Sequence, residues 1–140
     1  AHDPAGAAHV CGGMTLFETG LSMTMRSRHY LPQGTSFERE EHFHDYTVEA
    51  IVRGSQVDES GYLIDITALR RALDSVLERY RGNVLNDLPE FSSRSPTMEN
   101  LAVEIWRGVS QALGDARERT LTIRIWEDES AWACFEDEMR

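Results

Sequence analysis

The stretch His42-Phe-His-Asp-Tyr-Thr-Val-Glu-Ala-Ile-Val-Arg53 decides the fold of this chain. From residue 46 onward, Tyr, Val, Ala and Val alternate with Thr, Glu, Ile and Arg, which is the period of a β-strand with one buried face. Side chains two residues apart on a strand point to the same face of the sheet. The two histidines that open the stretch, His42 and His44, are therefore predicted to project from one side.

A second strand is predicted just before this stretch. Residues 16–26 alternate loosely, are rich in Thr, Phe and Met, and run towards His29. The turn-like Pro32-Gln-Gly34 follows, so the two strands can pair as a long hairpin.

The remainder of the chain predicts two helices followed by two strands. Asp65 and Thr97 are suitable N-caps for two amphipathic helices, and Gly82 and Gly114 are expected to end them. Alternating apolar residues then predict strands over residues 121–125 and 131–135. The order ββααββ indicates an α+β fold, with an antiparallel four-stranded sheet and two helices on one face.

Length and composition limit the possible functions. A chain of 140 residues is expected to form a single domain, over residues 14–140, after a flexible leader at residues 1–13. The net charge of -10 argues against a nucleic-acid partner, and no apolar run approaches the roughly 20 residues that span a membrane. Cys11 and Cys134 form no CxxC pair, so both are expected to be reduced and the protein cytoplasmic.

Three histidines can meet at one end of the predicted hairpin. His29 ends the first strand, where pairing would bring it beside His42 and His44. Three neutral imidazoles bind zinc and leave one tetrahedral position open, as in catalytic zinc sites. A polar sheet face also produces an H-x-H pair, and periodicity alone leaves the two interpretations equally open.

Six segments resemble, in one collinear order over roughly residues 16–136, the 6-pyruvoyl-tetrahydropterin synthase and 6-carboxytetrahydropterin synthase family. His29-Tyr-Leu-Pro-Gln-Gly34 is similar to the family motif H-x-x-P-x-G, and His42-Phe-His-Asp-Tyr46 to H-G-H-N-Y. The other matching segments are Gly61-Tyr-Leu-Ile-Asp65, Val84-Leu-Asn-Asp-Leu-Pro89, Pro96-Thr-Met-Glu-Asn100 and Trp126-Glu127. The resemblance implies the tunnelling fold, with its ββααββ subunit, and a closed homo-oligomer, usually a hexamer of two trimers.

The resemblance also implies a metal site and an anchor for a pterin ring. Zn2+ is the implied cofactor, with His29, His42 and His44 as its ligands. The anchoring glutamate falls on Glu127, because a carboxylate can accept two parallel N–H bonds from the ring. Without the family, Glu127 is better interpreted as a solvated carboxylate in an acidic turn.

The implied partner is a small-molecule pterin. Thr97 and Glu99 match the segment that lines the family's substrate pocket, although Thr97 can also serve as a helix cap. A substrate with a triphosphate needs basic surface at the pocket mouth, for which Arg26, Arg28 or Arg81 are candidates.

The chain departs from the family pattern at its catalytic positions. Glu38 stands where most relatives have a nucleophile-like cysteine, four residues before His42, and Arg81 and Gly82 stand where they have an Asp-His pair. Glu38 is the candidate catalytic base, with a solvated loop carboxylate as an equal alternative. Cys134 matches no catalytic position and is expected to be a small core residue.

Two functions therefore follow from the resemblance. The first is a zinc-dependent lyase acting on a dihydropterin with a hydroxylated side chain, such as 7,8-dihydroneopterin triphosphate. The alternative is a non-catalytic zinc protein that binds a pterin or a purine-like ligand. The loss of the Asp-His pair favours the second, whereas an acid at position 38 favours the first.

Overall fold

The computed structural model describes residues 10–11, 14–116 and 118–140. Its elements, in chain order, are β1 (Val10–Cys11), β2 (Met14–Thr15), β3 (Phe17–His29), α1 (Ser36–Arg39), β4 (His42–Gly54), α2 (Ile66–Glu78), α3 (Met98–Leu113), β5 (Thr120–Trp126) and β6 (Trp132–Glu138). The predicted α+β order is confirmed, with short 3₁₀ turns at Leu85–Asp87 and Pro89–Phe91 between α2 and α3. Most of the expected leader lies outside the described residues, and Val10–Cys11 pairs with Met14–Thr15. Among the helices described, none has the length and apolar character needed to cross a bilayer.

The main sheet is antiparallel, with strand order β3-β4-β5-β6. β3 and β4 pair along their whole length, and the register places His29 directly opposite His42. β5 pairs with β4 only from Thr47 onward. Residues 25–29 and 42–46 therefore extend past β5 as a two-stranded end, which we call the hairpin overhang. The overhang carries all three histidines that were predicted as ligands.

The two long helices cover one face of the sheet. Asp65 caps α2 by accepting hydrogen bonds from the N–H groups of Thr67 and Ala68, and Thr97 caps α3 by accepting one from Asn100. Alternate residues of the strands meet the apolar faces of both helices in a single core. The fully buried side chains include Val48, Val52, Leu69, Leu73, Leu77, Leu101, Ile105, Val109, Leu121, Ile123 and Ile125.

After α2 the chain returns along the edge of β3. α2 ends at Glu78, four residues before the glycine that was expected to stop it. Gly82 has φ 71°, a left-handed conformation that glycine adopts without strain, and its N–H donates to the carbonyl of Arg26 at 2.8 Å. Arg28 N–H donates to the carbonyl of Asn83 at 3.0 Å. Residues 80–86, called the edge segment below, thus act as an extra partner for the overhang.

The face of the sheet opposite the helices is polar and carries Cys134. Its alternation with Trp132 is as predicted, but Cys134 is exposed, so the prediction of a core residue is wrong. The inward positions of β6 belong to Ala133 and Phe135, and the Phe135 ring packs edge-on against Trp106 with 5.6 Å between centroids. Strand alternation then necessarily turns Cys134 away from the helices.

Candidate metal centre

Three histidines converge on the helix-facing side of the hairpin overhang. His29 and His42 are cross-strand partners, and His44 follows two residues along β4. One ring nitrogen from each of the three lies within 4.8 Å of the others. His29 is 1% exposed, whereas His42 and His44 are half-buried. The convergence results from strand register, because directly opposed side chains on one face lie close together.

Two backbone carbonyls determine which nitrogens point into the cluster. His29 Nδ1 lies 2.9 Å from the carbonyl oxygen of Pro96, and His42 Nδ1 lies 2.7 Å from that of Glu40. A carbonyl can only accept, so both Nδ1 atoms donate and both Nε2 atoms carry a lone pair. Such contacts to the second nitrogen are the usual support of metal-binding histidines.

The donor set fits a cation. His29 Nε2 and His42 Nε2 are 2.9 Å apart, and in the tautomers just assigned neither of them carries a hydrogen. Two lone pairs at this distance repel each other unless they share a positive charge, either a proton or a metal ion. Three imidazole nitrogens around one point are suitable ligands for a divalent metal.

Burial favours the neutral form of His29 and His44, which is the form that binds metal. Burial lowers the pKa of His29 to about 4, against a weaker opposing effect of its bond to Pro96. Burial also lowers the pKa of His44, although nearby Glu127 opposes the shift. Tyr46 is 1% exposed, and its hydroxyl lies 3.4 Å from His29 Nδ1. Tyr46 therefore lies on the buried side of the cluster.

Glu127 lies next to the histidines. It follows the last residue of β5, and one carboxylate oxygen is 3.7 Å from His44 Nε2. Its backbone N–H donates to the carbonyl of Ala131, which closes the turn to β6. Asp128 and Glu129 in the same turn are exposed. The structure therefore brings Glu127 to the histidine cluster and leaves the two neighbouring acids in solvent.

The start of α3 borders the same cluster. Pro96, whose carbonyl accepts from His29, immediately precedes the cap residue Thr97. The Thr97 hydroxyl accepts from Asn100 N–H at 3.2 Å, so the helix-cap role is present. Glu99 lies in the first turn of α3 and is exposed.

Glu38 caps the short helix α1, near the cluster. Thr35 N–H donates to the Glu38 carboxylate at 3.1 Å, and Glu38 N–H donates to the Thr35 hydroxyl at 3.4 Å, which is a capping box. These bonds hold the pKa of Glu38 below its usual range, with smaller contributions from His42 and His29. Gly34 allows this packing, since a Cβ there would lie 2.6 Å from Glu38 Cβ.

The two positions that hold an Asp-His pair in the family carry no group here that could transfer a proton at the cluster. The Arg81 guanidinium is paired with Asp74 and Glu78 on α2, and Gly82 has no side chain. The other two arginines considered for a triphosphate are also paired on the exposed surface. Arg26 binds both oxygens of Asp45 at 2.7 and 2.8 Å, and Arg28 lies 3.5 Å from Glu41.

Sequence reasoning missed one side chain beside the cluster, Tyr46, and one that binds the residue after His29, Asn86. Tyr46 lies two residues after His44 on the same strand face, so the period of two was a sufficient signal for its position. Asn86 binds the backbone of Tyr30, the residue after His29, and spacing along the chain does not indicate this contact.

Comparison with known proteins agrees with this fold. The family model for 6-pyruvoyl tetrahydropterin synthase matches residues 21–138. A 6-carboxy-5,6,7,8-tetrahydropterin synthase of Bacillus subtilis is 26% identical over 115 residues, which are 79% of this chain and 77% of that protein. A 6-pyruvoyl tetrahydrobiopterin synthase of Drosophila melanogaster is 37% identical over 70 residues. That match spans 49% of this chain and less than half, 42%, of the Drosophila protein.

Solved structures share the fold. The 6-pyruvoyl tetrahydropterin synthase of Caenorhabditis elegans has a TM-score of 0.73 at 17% identity, covering 89% of this chain and 98% of that one. A Plasmodium vivax 6-pyruvoyltetrahydropterin synthase, solved with its catalytic glutamate replaced by cysteine, has a TM-score of 0.72 at 13% identity and covers 89% and 99%. The family match extends over most of the chain, including the whole hairpin overhang and the turn at Glu127. This chain therefore belongs to the 6-pyruvoyl tetrahydropterin synthase family.

Proposed function

We propose that this protein is a zinc-dependent lyase that acts on a dihydropterin with a hydroxylated side chain, of the 7,8-dihydroneopterin triphosphate type. One observation carries the proposal. In a member of the tetrahydropterin synthase family, three histidine nitrogens lie within 4.8 Å of one another, and a glutamate oxygen lies 3.7 Å from one of them.

The metal would be held by His29, His42 and His44. Zinc suits three neutral imidazoles and keeps a fourth position for a substrate oxygen. When bound, it supplies Lewis acidity that polarises that oxygen and acidifies adjacent bonds. The protein's part would be to keep His29 and His44 neutral by burial and to orient His29 and His42 through the carbonyls of Pro96 and Glu40.

Glu127 would hold the pterin ring. Its two carboxylate oxygens match two parallel N–H groups on one edge of the ring. Because Glu127 lies beside His44, a ring anchored there places its side chain towards the metal ligands. Thr97 and Glu99, at the start of α3, would line the same pocket next to Pro96.

Glu38 would act as the base. The low pKa of its carboxylate means that Glu38 is ionised at neutral pH and can accept a proton. Thr35 N–H bonds to Oε1 of this carboxylate, so Oε2 would be the oxygen that accepts the proton unless that bond opens. The Plasmodium vivax relative supports this role, since its catalytic residue is a glutamate.

The site also favours a closed oligomer, which we propose to be a hexamer. His42, His44 and Glu127 are only half-buried in the single chain, so a neighbouring subunit would be needed to exclude water from them. β3 and β6 are the outer strands of the sheet, and closure through neighbouring subunits removes such open edges.

A second candidate function is a pterin-binding protein that retains zinc and has lost turnover. Two observations favour it. The Glu38 carboxylate is already occupied as a helix cap, and Arg81, in place of an acid, is paired with Asp74 and Glu78.

One experiment separates the two functions. Zinc-loaded protein is incubated with 7,8-dihydroneopterin triphosphate, and the products are identified by mass spectrometry. Cleavage or rearrangement of the side chain supports the lyase, and recovery of tightly bound, unchanged substrate supports the binding protein. In the lyase, Glu38→Gln should retain zinc and lower turnover about 10²- to 10⁴-fold. The control Glu41→Gln removes a neighbouring exposed acid and should leave turnover unchanged. If Glu38→Gln turns over at the wild-type rate, Glu38 is not the base.

A further inference from the structure

The side chain of Asn86 binds both backbone groups of Tyr30, the residue that follows His29. Tyr30 N–H donates to Asn86 Oδ1 at 2.9 Å, and Asn86 Nδ2 donates to the Tyr30 carbonyl at 2.9 Å. One amide side chain thus provides the donor and the acceptor that a neighbouring strand would otherwise provide. The contact joins residues 56 positions apart in the chain.

This contact lies where the sheet stops supporting His29. The ladder between β3 and β4 ends with the pair His29 and His42, and Tyr30 is outside the strand. A strand end without further bonds frays, whereas a metal site requires its ligands within about 0.5 Å of their working positions. On the far side of Tyr30, Leu31 N–H donates to the carbonyl of Glu38 at 2.6 Å. Asn86 and Leu31 therefore hold the chain immediately after the ligand.

The edge segment adds further bonds to the same strand end. Besides the two backbone bonds described above, the buried Ser27 hydroxyl donates to the carbonyl of Tyr80 at 2.7 Å. The segment thus contacts β3 at residues 26, 27 and 28, and it contacts Tyr30 just beyond the end of the strand. Four of its hydrogen-bonding residues, at positions 80, 82, 83 and 86, bond to the stretch of chain around His29, whereas the Arg81 side chain is engaged with α2.

We propose that the edge segment positions the metal ligand His29, and that Asn86 is its main positioning residue. This inference rests on the proposed metal site. The hydrogen bonds of the Asn86 side chain go to the backbone of Tyr30 and not to the three histidines. Asn86 acts by fixing the Tyr30 peptide, and through it the backbone of His29.

The test measures metal affinity in Asn86→Ala, with Asn83→Ala as the matched control. Asn83 is in the same segment, and its side chain donates to the carbonyl of Arg79 at 2.8 Å, at the end of α2. Both variants lose hydrogen bonds to backbone, but only Asn86→Ala releases Tyr30. Zinc affinity is measured by competition with a chromophoric chelator, and the Co2+ absorption spectrum reports ligand geometry.

Asn86→Ala should bind zinc about 10- to 100-fold more weakly and change the Co2+ spectrum, as supporting residues of metal ligands do. Asn83→Ala should keep wild-type affinity and spectrum. Equal affinities of wild type and folded Asn86→Ala would overturn the inference. If Asn86→Ala does not fold, Asn86→Asp decides in its place, because it keeps the bond from Tyr30 N–H and loses the one to the Tyr30 carbonyl. Failure of the wild type to bind zinc would refute the proposed metal site itself.

Discussion

The metal-free protein should lose stability between pH 6.5 and pH 4 because it buries His29 as a neutral imidazole. Burial lowers the pKa of His29 from 6.5 to about 4. The unfolded chain therefore binds a proton near pH 6.5, whereas the folded chain does so only near pH 4. The contribution of His29 to stability is complete above pH 6.5, falls as the pH drops through this window, and changes no further below pH 4. The interval from 6.5 to 4 is about 2.5 pH units, which at about 1.36 kcal/mol per unit corresponds to about 3 kcal/mol.

Urea unfolding in the presence of a chelator measures this effect. The free energy of unfolding is determined at about pH 7 and about pH 4.5 for wild type and for His29→Gln, which lacks the titrating group. The carboxylates titrate in both proteins, so the comparison cancels most of their contribution. Between these two pH values, the free energy of unfolding should fall further in wild type than in the variant. The difference should be most of the roughly 3 kcal/mol calculated above. Parallel losses in the two proteins would show that His29 is not buried as a neutral group.

Three further predictions concern the metal, the anchor and the assembly. Metal analysis should find about one zinc per chain in the wild-type protein. His44→Ala should lose most of this zinc, because the two remaining ligands hold a divalent ion poorly. A zinc-free wild type purified without chelators would contradict the proposed function. Glu127→Gln should keep zinc and weaken pterin binding by about 2–4 kcal/mol, or about 30- to 1000-fold, because an N–H of the glutamine then faces an N–H of the ring. Titration calorimetry measures the affinity, with Glu129→Gln as the control. An unchanged affinity would place the anchor elsewhere. Light scattering should find a hexamer, and a monomer at micromolar concentration would exclude a site completed by neighbouring subunits.

The strands and helices could be predicted because their signals are local. The period of two in residues 46–53 and the caps Asp65 and Thr97 all correspond to observed elements. Cys134 was misassigned because alternation defines two faces without saying which one meets the helices. The end of α2 was misplaced because Gly82 is required for the return along β3 and not for capping.

The histidine cluster was predictable only in part. Strand spacing and the hairpin accounted for the proximity of His29 and His42. The carbonyls that orient them belong to residues 96 and 40. Every residue has a backbone carbonyl, so the sequence does not indicate which ones accept these bonds. The capping role of Glu38 did have a signal, since Thr35-Ser-Phe-Glu38 follows the S/T-x-x-E pattern. Asn86 stood in a segment that resembles the family, Val84–Pro89, but its contact with Tyr30 could not be predicted, because it depends on how the loop after α2 lies against β3.

The hairpin overhang also affects how the protein moves. Residues 42–46 bond to β3 on one side, while β5 begins to pair with β4 only at Thr47. Their amide hydrogens can therefore exchange with deuterium through a local opening that leaves the rest of the sheet closed. A metal ion held by His29 on one strand and His42 on the other would join the two tips like a cross-link. Metal binding would then slow exchange at this end of the sheet and leave the exchange of the core strands nearly unchanged.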